Sequence, residues 1–163
     1  MYAVSREDPE SPVAASLMDA LSETLARITG DSGKSSFDPD DVRGERARFV
    51  VARTTAGVPA GCGAFRPLEA SVAEVKRMYA VPGMPGAGRA VLAHLEAEAQ
   101  ALGYSELWLE TRLVNVRAVA FYERNGYARM SNFGKYVGNI EAVCFAKLLP
   151  SANADRGGVA AGV

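Results

Sequence analysis

A lone histidine, His94, and two isolated cysteines, Cys62 and Cys144, are the chain's whole stock of soft metal ligands. Three such residues, far apart in sequence, build no structural metal site, and two cysteines build no disulfide framework. The expectation is a reduced, cytoplasmic protein without metal. A surplus of one charge is also missing: 18 basic residues face 19 acidic ones. That balance gives no pull toward nucleic acid or an anionic membrane. No apolar run has the length needed to cross a bilayer. The opening "MYAVSREDPESP" is acidic and lacks the apolar core of a secretory signal. Internal repeats are absent.

What remains is 163 residues, enough for one domain with a real core. The expected domain spans 1–149. The small, polar segment 150–163, "PSANADRGGVAAGV", reads as a disordered tail. Ser11, Pro12 and Gly30 bracket a helix as N-cap, first residue and stop. Within it Val13, Leu17, Leu21, Leu25 and Ile28 recur at helical spacing. "DSGKSSFDPDDVRGE" is broken by Gly and Pro and reads as loop. "RFVVAR" and "AGCGAFRPL" read as a hairpin joined by "TTAGVP", followed by a third strand, "VAEVKRMYAV". A helix over 89–102 ends at Gly103, with Val91, Leu92, Leu95, Ala99 and Leu102 inward. "SELWLET" reads as a strand, "VRAVAFYERNG" as a short helix, and "YARMSNF" and "EAVCFAKLL" as the last strands. This order predicts an α/β domain with a mixed, mostly antiparallel sheet flanked by helices. Its centre is a βαβ unit, and ligands of open α/β sheets sit at the C-terminal ends of such strands.

"VPGMPGAG" lies at that position. A glycine-rich turn opening a helix is a ready anion site, because unpaired N–H groups point outward there. One reading is a dinucleotide fingerprint, with Gly86-Ala87-Gly88 at the turn and Glu110 as the ribose-binding acid. Against it, Val91 stands where the third glycine belongs, and the unit follows a meander instead of opening the chain.

A second reading rests on "NVRAVAFYERNGY": Asn115, Ala118 three residues on, Tyr122 seven on, then Gly126-Tyr127. With the βαβ unit, this segment resembles the acetyl-CoA-dependent GNAT N-acetyltransferases. "AEVKRMYAVP" resembles that family's central strand, and "FGKYVGNIEAVCFAKLL" the C-terminal strands of one bacterial subgroup. The resemblance covers roughly residues 12–149. It implies a GNAT fold, acetyl-CoA as co-substrate, and acetyl transfer to a primary amine by direct attack in a ternary complex. The CoA pyrophosphate is then expected on the backbone amides of Gly86, Ala87, Gly88, Arg89 and Ala90 and on the helix dipole. The family writes this loop as Arg or Gln, two residues, Gly, one residue, then Gly or Ala. Here Gly83 or, in a shifted alignment, Pro85 stands at the first position, so a basic or amide side chain is missing either way. Arg89 is the nearest substitute.

The resemblance also distributes roles. Tyr122 is expected to protonate the departing thiolate, and Glu74 to take the proton from the attacking ammonium. Glu74 has a second reading, as a cross-strand partner of Arg66 or Lys76. Asn115 serves either the co-substrate or the cap of the helix after it; the two roles are compatible. Backbone groups of Met78, Tyr79 and Ala80 would pair with the pantetheine arm as an added strand would and polarise the thioester carbonyl. Trp108 reads as packing, the cysteines as buried small hydrophobes, and Phe133 and Tyr136 as candidate walls of the acceptor site. The alternative at the level of function is a module of the same fold that binds acyl-CoA without catalysis. The acceptor amine is open, and so is oligomeric state, although dimers are common in the family.

Overall fold

The computed structural model describes residues 1–151. The tail expected to be disordered lies almost wholly outside the described residues. Seven strands form one sheet: β1 (Tyr2–Arg6), β2 (Arg48–Thr54), β3 (Pro59–Glu69), β4 (Val72–Ala80), β5 (Glu106–Arg112), β6 (Ala128–Met130) and β7 (Ala142–Leu148). Their spatial order is β1-β2-β3-β4-β5-β7-β6, and every pairing is antiparallel except β4 with β5. Three helices flank it: α1 (Pro12–Thr29), α2 (Ala87–Ala101) and α3 (Val116–Arg124). This is the single-domain, mostly antiparallel sheet with a central βαβ unit that the sequence predicts.

Local chemistry sets the element ends. Ser11 Oγ accepts the Ala14 N–H at 3.1 Å, and Gly30 closes α1 with φ 82°. Asn115 caps α3, its Oδ1 accepting the Ala118 N–H at 3.3 Å. The sequence reading missed β1, which pairs with β2 from Tyr2↔Thr54 to Arg6↔Val50. It also extended the "YARMSNF" strand beyond its three observed residues.

The sheet separates two sets of packing. On one face α2 and α3 cover Val50, Phe65, Val75, Leu107, Leu109 and Phe145, with Val91, Leu92 and Leu95 driven between them. Fully burying each such side chain is worth roughly 1.5–3 kcal/mol. On the other face α1 lays Val13, Leu17 and Met18 over Phe49, Val51, Cys62 and Ala64. A smaller cluster of Phe133, Tyr136, Trp108 and Cys144 covers the β5–β7 side of that face. Polar side chains of β3, β4 and β5 lie between the two.

Two irregularities in β4 shape this polar strip. Its parallel pairing with β5 covers only Val72↔Glu106, Ala73↔Leu107 and Glu74↔Trp108. Beyond Glu74 the strands part. Toward β3, Tyr79 pairs with Cys62 and Lys76 with Ala64, so β4 carries one extra residue. Arg77 absorbs the bulge at φ 56°, the only positive φ of a non-glycine residue among those described. Such a conformation costs roughly 1–3 kcal/mol. It is held by the Arg77 guanidinium, which donates to Ser22 Oγ at 2.6 Å and to the Met18 carbonyl at 3.0 Å on α1.

Candidate active site

The parting of β4 and β5 makes a slot through the sheet. Along it, the β4 edge from Val75 to Ala80 has no strand partner on the β5 side among the described residues. Met78, Tyr79 and Ala80 lie there, just past the bulge. Unpaired strand edges accept an extended ligand as a further strand. Met78 is fixed by its side chain, which packs with the α2-side core. A Cβ on Gly63 would sit 2.5 Å from Met78 Sδ and 2.7 Å from Val91 Cγ1, so only glycine lets β3, β4 and α2 close up here.

At the mouth of the slot stands the turn 81–86, which delivers the chain into α2. Gly83 and Gly86 adopt φ 84° and 80°, a region that favours glycine. Of the five amides expected to be free, two are already used. Ala87 N–H donates to the Met84 carbonyl at 3.2 Å and Ala90 N–H to Gly86 at 3.0 Å. The amides of Gly86, Gly88 and Arg89 have no acceptor among the described residues. The Pro85 carbonyl, four residues before Arg89, instead accepts the Tyr2 hydroxyl at 2.8 Å. β1, the strand that sequence reading missed, thus braces this turn. Arg89 is exposed and makes no ion pair among the described residues. Gly88 faces Phe121 of α3, 3.4 Å from where a Cβ would stand, so the α2 N-terminus packs closely against α3.

Tyr122 belongs to α3. Its ring is buried against Phe121, Tyr127 and Phe145, with centroids 5.2, 5.8 and 6.2 Å away. Its hydroxyl has no hydrogen-bond partner among the described residues, yet the oxygen is not among the fully enclosed unpaired atoms. Burial pushes the phenol's pKa up, so it keeps its proton at neutral pH. The phenol is therefore a protonated donor with no acceptor among the described residues.

On the opposite face, Glu74 stands at the last paired position before the slot opens and is 1% exposed. Of the two partners expected for it, Arg66 is the one that pairs. Arg66, its cross-strand partner, contacts Oε1 through Nε at 2.9 Å and Nη2 at 2.8 Å. The Tyr136 hydroxyl donates to Oε2 at 2.9 Å. A carboxylate has about four lone-pair positions, so one on Oε2 remains. Tyr136, expected only as a wall, is a direct partner of the carboxylate across 62 residues of chain. Lys76 does not pair with Glu74. Its Nζ donates to the Ser36 carbonyl at 2.6 Å.

The sequence offers Glu110 only as a ribose-binding acid. It faces away from α2, paired with Arg112 at 2.6 Å and grouped electrostatically with Glu74 and Lys76. Burial raises its pKa. The glycine turn and this acid therefore lie on different faces, which removes the dinucleotide geometry. Asn115, three residues past β5, is engaged as a cap through Oδ1, and its amide NH2 has no partner among the described residues. Trp108 packs on Phe133 at 5.1 Å, as expected of a packing residue. Cys62 and Cys144 are both buried.

The sheet is thus parted between its two parallel strands, with the glycine turn at the start of α2 and Tyr122 on α3. The acetyltransferase (GNAT) family model matches residues 14–127, and the chain belongs to that family. An IAA acetyltransferase from Azospirillum brasilense is 33% identical over 136 residues, covering 82% of this chain and 88% of that protein. A Klebsiella pneumoniae protein proposed to be an acyl-CoA N-acyltransferase is 28% identical, with a TM-score of 0.77 over 92% of this chain and 99% of that one. A GNAT-family acetyltransferase from Staphylococcus aureus shares the fold at 12% identity, with a TM-score of 0.73 over 92% and 100% of the two chains.

Proposed function

We propose that the chain transfers an acetyl group from acetyl-CoA to a primary amine, by direct attack in a ternary complex. Acetyl-CoA supplies the activated thioester. The open β4 edge at Met78, Tyr79 and Ala80 receives the pantetheine arm and aims backbone dipoles at the thioester carbonyl. The amides of Gly86, Gly88 and Arg89, with the α2 dipole, take the pyrophosphate, and the free Asn115 amide flanks the arm. Glu74 accepts the ammonium proton on its remaining Oε2 lone pair, directly or through water, while Arg66 and Tyr136 hold the carboxylate still. Tyr122 donates to the departing sulfur.

The observation that supports this reading best is the Tyr122 hydroxyl on α3, protonated and without a hydrogen-bond partner among the described residues. The competing reading, a module that binds acyl-CoA without turnover, is favoured by one observation: no basic or amide side chain stands at Gly83 or Pro85. Thiol release from acetyl-CoA in the presence of an amine panel separates the two. IAA, an acid without a primary amine, is assayed beside that panel because of the Azospirillum relative's name. Turnover with at least one acceptor supports the enzyme. Saturable acetyl-CoA binding with no release above the hydrolysis background across the panel supports the module.

A further inference from the structure

The polar strip beside Glu74 contains more positive charge than its own carboxylates use. Glu74 is matched by Arg66, and Glu110 by Arg112. Lys76 and Lys135 have no carboxylate within ion-pair distance among the described residues. Instead both ammonium groups converge on one neutral atom, the Ser36 carbonyl oxygen, at 2.6 and 3.5 Å. Asp41 acts on Lys76 only from longer range. Lys76 is partly buried and Lys135 is exposed, its Nζ also 5.6 Å from the Tyr136 ring centroid; two cations around a single carbonyl oxygen repel each other. Burial is the largest cause lowering the pKa of Lys76, and Lys135 and Arg66 add to it; Glu74, beyond ion-pair distance, and Asp41 act the other way, so a bound anion would complete a compensation that the protein supplies only in part.

Lys76 lies two residues after Glu74 on β4 and shares its face, roughly 6.5–7 Å along the strand. That face carries a carboxylate with a spare acceptor position and then a pair of ammonium groups. It complements a compact zwitterion: ammonium toward Glu74, anion toward the lysines. Glu74 and Glu110 on the same face disfavour a multiply charged anion.

We propose that the acceptor carries a carboxylate as well as its amine, as a free amino acid does, and that Lys76 and Lys135 receive that carboxylate. This deepens the acetyl-transfer reading and rests on it for the position of the amine. The experiment is acetyl transfer to the twenty common amino acids, their carboxamides and their decarboxylated amines, read as thiol release. Charge-assisted contacts of this kind favour the acid over the amide by about tenfold to a hundredfold in kcat/KM. Lys76→Met should bring that ratio close to one, chiefly through the KM for the acid. Lys76→Arg should restore it, and Lys135→Gln should reduce it in part. Equal rates for acids and amides, or a ratio that neither Lys76→Met nor Lys135→Gln moves, overturn the inference.

A binding arm keeps the two readings apart. N-acetylated amino acids, the products, are titrated into the free protein by calorimetry, alongside acetyl-CoA. If acetyl-CoA does not bind, the acetyl-transfer reading fails on its own. Product binding then decides the carboxylate site: saturable binding lost in Lys76→Met supports it, and no binding overturns it. The same arm decides if acetyl-CoA binds and no amine in the panel reacts.

Discussion

Tyr122→Phe removes one oxygen and nothing else that the fold uses. The ring keeps its contacts with Phe121, Tyr127 and Phe145. The hydroxyl makes no hydrogen bond among the described residues, so its loss orphans no partner there. Stability should therefore change by no more than about 0.5 kcal/mol. The transition state is different. In the proposed reaction the phenol donates to the departing thiolate. Removing a general acid of this kind costs about 10²-fold or more in kcat, or ~2.7 kcal/mol of barrier. Acetyl-CoA affinity should hardly move, since the hydroxyl acts as the sulfur departs. The assay is steady-state thiol release at saturating acetyl-CoA, with a viscosity control showing that chemistry limits the rate. Thermal melts and a CoA titration of the variant accompany it. An unchanged kcat under those conditions refutes the role of Tyr122. A fall in kcat matched by an equal fall in Tm refutes the claim that the hydroxyl is free of structural duty.

Other expectations follow from named contacts. Tyr2→Phe frees the Pro85 carbonyl and should weaken CoA binding several-fold in a calorimetric titration without altering kcat at saturation; unchanged affinity would separate β1 from the turn. Arg89→Ala should weaken CoA binding more at low than at high salt, because the exposed guanidinium is screened; a salt-independent effect contradicts an ionic contact. Burial raises the Cys62 pKa to about 12, so its thiolate fraction at pH 8 is about a thousandth of that of an unperturbed thiol; fast labelling of the native protein at Cys62 would show that the core there opens. Glu110 has a raised folded-state pKa, so its contribution to stability is full below about pH 4.5 and is lost as pH rises through the folded value. The melting temperature of Glu110→Gln minus that of wild type should accordingly climb from pH 4.5 to pH 7, and a flat difference contradicts the burial argument.

The parts legible in the sequence are those that local chemistry fixes. Ser11, Pro12 and Gly30 mark α1 to the residue, and the 3.6-residue apolar pattern marks α2. The turn before α2 is legible because only glycine readily adopts the φ values of Gly83 and Gly86. The cross-strand pair Arg66–Glu74 follows from alternation in two adjacent strands. What escaped is non-local. β1 is five residues at the sheet edge, and its register is set wholly by β2. The bulge falls on Arg77, which carries no turn signature; its φ is held by α1, not by its neighbours in sequence. Tyr136 reaches Glu74, and Lys135 meets Lys76 at Ser36, through chain closures that no local pattern announces. The two engaged amides, of Ala87 and Ala90, also became visible only once the turn had a conformation.

The central claim is that the slot between β4 and β5 takes acetyl-CoA, and a calorimetric titration of the full chain tests it most directly. The account predicts saturable binding at one acetyl-CoA per chain, weaker than a loop with a basic side chain would give, together with much weaker binding of NAD. Tight NAD binding with no heat from acetyl-CoA would contradict it.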